Sequence, residues 1–216
     1  MTIPILRITV AALPPRRDPG DDTMNAFPVH SIDTAPAGSQ ETLRRVKNEL
    51  GAVPNLAAAM AEAPSLVKGF FNLREIYYHE GTLSPLEIQV LSLTNAFENR
   101  CSYCMALHSA FALKEGLSEE SLAELREGRP PLEPKLRALS DLSRQMVAQR
   151  GNVSEEVLQA FFDAGYTPGQ ALEVVLGVAV SILPNFTHHL SDAPLDSIFQ
   201  KQAWIAPEAR LQEAAV

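Results

Sequence analysis

Both cysteines of this chain lie in one short stretch, NRCSYCMALH, residues 99–108. Cys101 and Cys104 are three apart, and His108 follows Cys104 by four. If the stretch opens a helix, the three side chains share one face, because residues three and four apart are neighbours. Their Cβ atoms would then stand about 5–6 Å apart. A relaxed disulfide wants about 3.5–4.5 Å, so a bridge here would be strained and easily reduced. A helix N-terminus also favours thiolate. His108, one turn on, could take a thiol proton or hold the thiolate as imidazolium. A thiol, a second thiol and a base are the set that reduces a peroxide: thiolate attacks O–O, a sulfenic acid forms, and the second thiol closes a disulfide. Two other uses remain open. Two cysteines and a histidine are three zinc ligands, with a carboxylate, His188 or His189 as the fourth, although structural zinc usually draws on two separated pairs. The pair could also be simple buried thiols.

Helices must position these groups, and the sequence supplies little else. Beyond about residue 38, helix signals repeat and strand signals are nearly absent. Ser39 is a candidate cap for QETLRRVKNEL, which stops at Gly51. PNLAAAMAEA follows, and then SLVKGFFNLREIYYHEG, with Leu66, Phe70, Leu73 and Tyr77 on one face. Ser84 and Pro85 open PLEIQVLSLTNAFEN, and CSYCMALHSAFALKEG ends on Gly116. Ser118, Ser154 and Thr167 begin three more helices, PKLRALSDLSRQMVAQRG lies between the first two, and DSIFQKQAW forms a last short one. The fold class expected is all-α, a multi-helix bundle of eight to ten helices. EIQVLSLTNAFENRC and ALEVVLGVAVSILPNF have the same character, with Gln89 over Glu173 and Cys101 over Asn185. This suggests an internal helical repeat that keeps thiols in one copy only.

Composition narrows the function. The formal charge is −8 and no basic stripe appears, so nucleic acid is not an expected partner. The apolar run VVLGVAVSIL, residues 174–183, falls short of the ~18 residues of a membrane span and reads as a buried helix. The start, MTIPILRITVAALPPRRDPGDD, lacks a basic region before its apolar part and reads as a flexible leader over residues 1–37, not a signal peptide. Met24 is then a candidate natural start, residues 38–216 form one helical domain, and the expected location is cytoplasmic.

Residues 83–112, LSPLEIQVLSLTNAFENRCSYCMALHSAFA, resemble the core motif of the alkylhydroperoxidase D-like, carboxymuconolactone decarboxylase superfamily, and look closest to its peroxidase-related branch. That motif is a Glu, eleven residues, Cys-x-x-Cys, three residues, then His. The resemblance implies the alkylhydroperoxidase D-like fold and a thiol-dependent peroxidase that reduces organic hydroperoxides. It makes Cys104 the peroxidatic thiol, Cys101 the resolving thiol and His108 the base. The relay glutamate falls on Gln89, an amide that bonds but does not titrate. Glu87 and Glu98 are the carboxylates that could stand in, and Tyr103 could hydrogen-bond at the site mouth. No metal or organic cofactor is implied, but an external dithiol or protein reductant is. The family also implies a homo-oligomer, a trimer or hexamer. Two alternatives stay beside this reading: acid–base decarboxylation of a lactone acid, and a redox-responsive oligomer without turnover.

Overall fold

The computed structural model describes residues 27–207, 209 and 210. The first helix, α1 (Ala37–Leu50), follows Pro36 and ends on Gly51 at φ 81°, a left-handed turn that suits glycine. Ser39 does not cap it. It is buried, and its Oγ donates to the Ala61 carbonyl at 2.6 Å, pinning the end of α2 (Asn55–Met60). The described part of the expected leader, residues 27–36, is anchored at several points, although Phe27 and Val29 are exposed. Ala35 is buried, Ile32 lies on the core formed by Leu43 and Val67, and His30 Nε2 meets Glu62 at 2.7 Å. Residues 1–26, with Met24, lie outside the described residues, as do 211–216.

Proline at the first turn opens α3 (Pro64–His79), α4 (Pro85–Glu98), α7 (Pro134–Ala148) and α9 (Pro168–Ser191). Hydroxyl caps open α4, α6 (Glu119–Arg126), α8 (Glu155–Asp163) and α9, from Ser84, Ser118, Ser154 and Thr167. On α3 Tyr77 is buried as expected, but the other buried residues, Val67 and Phe71, lie one step round from the expected face, and Phe70 and Leu73 are half-buried. α5 is Ser102–Lys114, and the expected last helix is a 3-10 turn, Ser197–Gln202. No strand occurs among the described residues.

The centre of the bundle is α4, which packs on α5, α6, α7 and α9. Every residue from Glu87 to Ala96 is buried, so its polar side chains need partners from other helices. Thr94 meets Ser140 at 2.9 Å, and Asn95 donates to Ser181 at 3.1 Å while accepting from Ser143 at 2.8 Å. Asn95–Ser181 and Asn99–Asn185 are both pairs 86 residues apart. A constant offset along two helices means that α4 and α9 run parallel. Both begin with a capping box and a proline. The two helices compared as repeats therefore lie side by side in the same direction. Gly177 permits that approach: a Cβ there would stand 2.5 Å from Tyr77 Oη and 2.9 Å from Leu91 Cδ2.

α9 departs from expectation in one respect. It is 24 residues long, apolar enough by length and composition to cross a membrane, and only 28% of its most apolar window is buried. It is not the fully buried helix that its sequence suggests. Leu172, Val175, Phe186 and Leu190 are exposed along it.

Candidate active site

The turn between α4 and α5 places the thiols. Arg100 takes φ 54°, and the Cys101 N–H reaches back to the Ala96 carbonyl at 2.9 Å, so α5 folds back along α4. Cys101 is therefore not the first rung of a helical ladder. It is the N-cap of α5, with extended backbone, and its Sγ accepts the Cys104 N–H at 3.2 Å. A serine or aspartate oxygen usually takes that position; here a sulfur does. Both thiols are free. Cys101 is completely buried, while Cys104, at 3% exposed, opens on a cavity of about 360 Å³.

The antiparallel return of α5 brings His108 opposite Gln89. His108 Nδ1 donates to Gln89 Oε1 at 2.8 Å, and Gln89 Nε2 donates to Tyr78 Oη at 3.4 Å. Because Oε1 only accepts, this bond fixes the proton on Nδ1 and leaves the Nε2 lone pair of His108 free. Burial, with the Arg74 charge behind it, pushes the His108 pKa down to about 3, so the ring is neutral. Arg74 lies over the Tyr78 ring at 4.5 Å and pairs with Glu49 at 3.0 Å. No hydrogen bond joins His108 to either sulfur among the described residues. His108 is thus a neutral imidazole on the cavity wall.

The charge of the thiol pair rests elsewhere. Burial opposes ionisation of Cys101, but the adjoining Cys104 thiol, the nearby His188 side chain and the Cys104 N–H outweigh it, and the pKa falls to about 5. Cys104 moves the other way, held up by burial and by the proton it shares with the charged Cys101. Asn185 turns its side chain to Cys104 and opposes that rise. Asn185 and His188 are on the last turns of α9. Asn99 Nδ2 donates to Asn185 Oδ1 at 2.9 Å, and His189 Nε2 meets the Asn99 carbonyl at 2.6 Å. The structure brings Asn185 and His188 to the thiols, and His189 to the Asn99 carbonyl beside them. The available signal is the register of Asn185 over Cys101 in the suspected repeat.

The other candidates divide. Tyr103 lines the cavity; its Oη donates to Asp196 and accepts the Leu56 N–H at 3.4 Å. Asp196 also takes the Asn55 N–H at 3.1 Å, so Tyr103 ties α2 and the 3-10 turn to the site. Glu87 and Glu98 are not brought to the thiols. Glu87 completes the capping box with Ser84 and pairs with Lys135 at 3.0 Å, and Glu98 is held by Arg144 at 3.0 Å. Neither lines the cavity. Among the described residues, no three His, Cys, Asp or Glu side chains converge as a set that could hold a metal ion.

Tyr103→Phe is expected to cost about 1–3 kcal/mol, because it strips a charged carboxylate of one partner. Thermal unfolding gives the loss, and hydrogen exchange should quicken over residues 195–202. Unchanged protection there would show that the Tyr103–Asp196 bond does not hold the turn.

Residues 64–133, which contain Gln89 and the Cys101, Cys104 and His108 set, match the carboxymuconolactone decarboxylase family. No curated protein matches the chain. Among solved structures, the alkylhydroperoxidase AhpD core of a peroxidase-related protein from Ralstonia eutropha JMP134 superposes with a TM-score of 0.71 at 20% identity, covering 80% of this chain and 93% of that one. A peroxidase-related protein from Silicibacter sp. TM1040 gives 0.66 at 17%, covering 80% and 91%. The debrominase Bmp8 gives 0.66 at 15%, covering 81% and 94%; a variant of it was solved with 2,3,4-tribromopyrrole. The family match lies on α3 to α6, which carry Gln89, both thiols and His108, and the chain shares its all-helical fold with these structures.

Proposed function

We propose that this chain is a thiol-dependent peroxidase acting on organic hydroperoxides. The observation that carries the reading is the arrangement of the two sulfurs: Cys104 opens on the cavity and Cys101 lies wholly buried behind it. Cys104 attacks the peroxide. An S–O bond forms, O–O breaks, and the alkoxide leaves as alcohol after taking one proton. Cys101 then attacks the Cys104 sulfur. The S–S bond forms, S–O breaks, and hydroxide leaves as water with a second proton. The sulfurs lose two electrons and the peroxide gains two. An external dithiol returns two electrons and two protons, and no metal or organic cofactor enters.

Phe70, Phe71, Met60, Leu107, Phe111 and Phe199 line the cavity. Such a wall favours an organic group over hydrogen peroxide alone. His108, neutral with its Nε2 free, accepts the hydroperoxide O–H and orients it; a group with a pKa of about 3 is too weak a base to hold a thiol proton. This assigns His108 an orienting part, where the family pattern implies a base.

Reduced protein mixed with cumene hydroperoxide and a dithiol should consume peroxide catalytically and accumulate a Cys101–Cys104 disulfide when the dithiol is left out. Thiols that oxidise no faster than free cysteine would end this reading. Bromide release from 2,3,4-tribromopyrrole without peroxide loss would redirect it to carbon–halogen reduction.

The exposed face of α9, with Leu172 at 73% and Leu190 at 66%, supports a homo-oligomer, a trimer or hexamer, as the covered state of that stripe. Sedimentation would test it, and a monomer at working concentration would count against it.

A further inference from the structure

We propose that His188, on the last turn of α9, is a positioning residue that holds Cys101 as the ionised member of the thiol pair, so that the acid–base partner of the thiols comes from outside the Cys-x-x-Cys-x-x-x-His motif. The inference deepens the peroxidase reading and rests on it only for the rate, because the charge can be measured without a substrate. His188 lies beyond residues 64–133, the span of the family match.

Two helix ends meet at this pair. The Cys101 sulfur caps the N-terminus of α5 and accepts a main-chain N–H, where a negative charge is favoured. His188 lies in the last turn of α9, ahead of its C-cap at Asp192, where a positive charge is favoured. The two dipoles support the same ion pair.

The imidazole is also fixed in place. Its ring lies against Tyr103, the residue between the cysteines, at 5.7 Å between centroids and 40° between planes. The adjoining bonds of His189 to the Asn99 carbonyl and of Asn185 to Asn99 clamp the last turn of α9 onto the α4–α5 junction. Its Nδ1 is buried without a hydrogen-bond partner. A buried imidazole nitrogen left so is costly, and the neighbouring thiol pair is where a proton from the ring is used. Of the other titratable side chains here, His189 meets a carbonyl, Glu98 pairs with Arg144 and Asp196 takes the Tyr103 hydroxyl. The lowered pKa of Cys101, to which the proximity of His188 contributes, agrees with this geometry.

The arrangement gives Gln89 a physical context. With Cys101 ionised, Cys104 passes its proton to Cys101 as it attacks, and that proton goes to the leaving alkoxide. His188 supplies the second proton, to the departing hydroxide. Neither step needs a titrating group at position 89.

The test is a thiolate titration of the full reduced chain by ultraviolet absorbance, for wild type, Cys101→Ser, Cys104→Ser, His188→Phe and His188→Gln. The low-pH thiolate step should vanish in Cys101→Ser and survive in Cys104→Ser. It should move up by about 1–3 pH units in both His188 variants, the effect of removing a nearby opposite charge. His188→Phe keeps a ring on Tyr103; if it fails to fold by circular dichroism, His188→Gln decides alone. A step that stays put without His188, or that belongs to Cys104, overturns the assignment. If the step moves but no hydroperoxide is consumed, the assignment stands and the peroxidase reading falls. If peroxide is consumed and the step does not move, the reverse holds.

Discussion

Cys104→Ser is expected to lose hydroperoxide turnover by about a thousandfold or more, the scale seen when a nucleophile is removed, while Cys101→Ser, which also loses the acceptor of the Cys104 proton, should consume a single equivalent of peroxide slowly and stop when no dithiol is present. The difference follows from where the two sulfurs sit. Cys104 faces the cavity, and without its sulfur nothing there attacks O–O. Cys101 is fully buried, beside Cys104; without it the sulfenic acid has no resolving thiol in the chain and persists. Neither outcome can be blamed on unfolding. A serine at position 101 is itself a good N-cap, so α5 keeps its start, and a serine at 104 changes one atom. Mass spectrometry of the protein after one addition of peroxide should show no oxidation in the first variant and one added oxygen in the second, trapped by dimedone. The opposite pattern, oxygen on Cys101 with Cys104→Ser still active, would reverse the two roles.

Local signals are legible in this sequence and long-range ones are not, for a physical reason. Ser84, Ser118, Ser154 and Thr167 cap the helices expected of them, because capping is settled within one turn. Ser39 has the same chemistry and a different fate: the proline before α1 starts that helix earlier, and its hydroxyl is needed by the Ala61 carbonyl. The motif brought Cys101, Cys104, His108 and Gln89 to one place in the sequence, and the α4–α5 turn does so in space. The positive φ at Arg100, which sets Cys101 off the helix as its cap, was not legible, since arginine does not signal a left-handed turn. Asn185 and His188 were less legible still. Their polarity at a helix end has an ordinary explanation in local terms, and only the parallel packing of α4 and α9 carries them to the thiols. The apolar character of α9 was visible; that a large part of it faces outward was not, because composition does not say which neighbours a helix has.

Gln89→Glu should raise the pKa of His108 by about 1–3 pH units, the usual effect of a carboxylate placed against an imidazole. The site tolerates the change sterically. An Oε1 at the same place still accepts Nδ1–H, Tyr78 can turn its hydroxyl to donate, and the Arg74 guanidinium over the Tyr78 ring offers the new charge a counterion. The consequence has a definite sign. In the native chain His108 titrates at about 3 against an ordinary 6.5, so the unfolded chain binds the proton first. Acidification from 6.5 towards 3 therefore removes stability that is complete above 6.5. Raising the folded pKa narrows that window, so the variant should lose less stability from His108 in total on the acid side. Its peroxidase activity should gain an acid limb that follows His108, whereas the wild-type profile follows the thiol pair. Nitrogen NMR of the ring reads both states directly: Nδ1 protonated and Nε2 bare in the wild type, with a titration that moves upward in the variant. If His108 titrates alike in both, the amide at position 89 does not hold the ring, and its bond to His108 is not what keeps the Nε2 lone pair turned to the cavity.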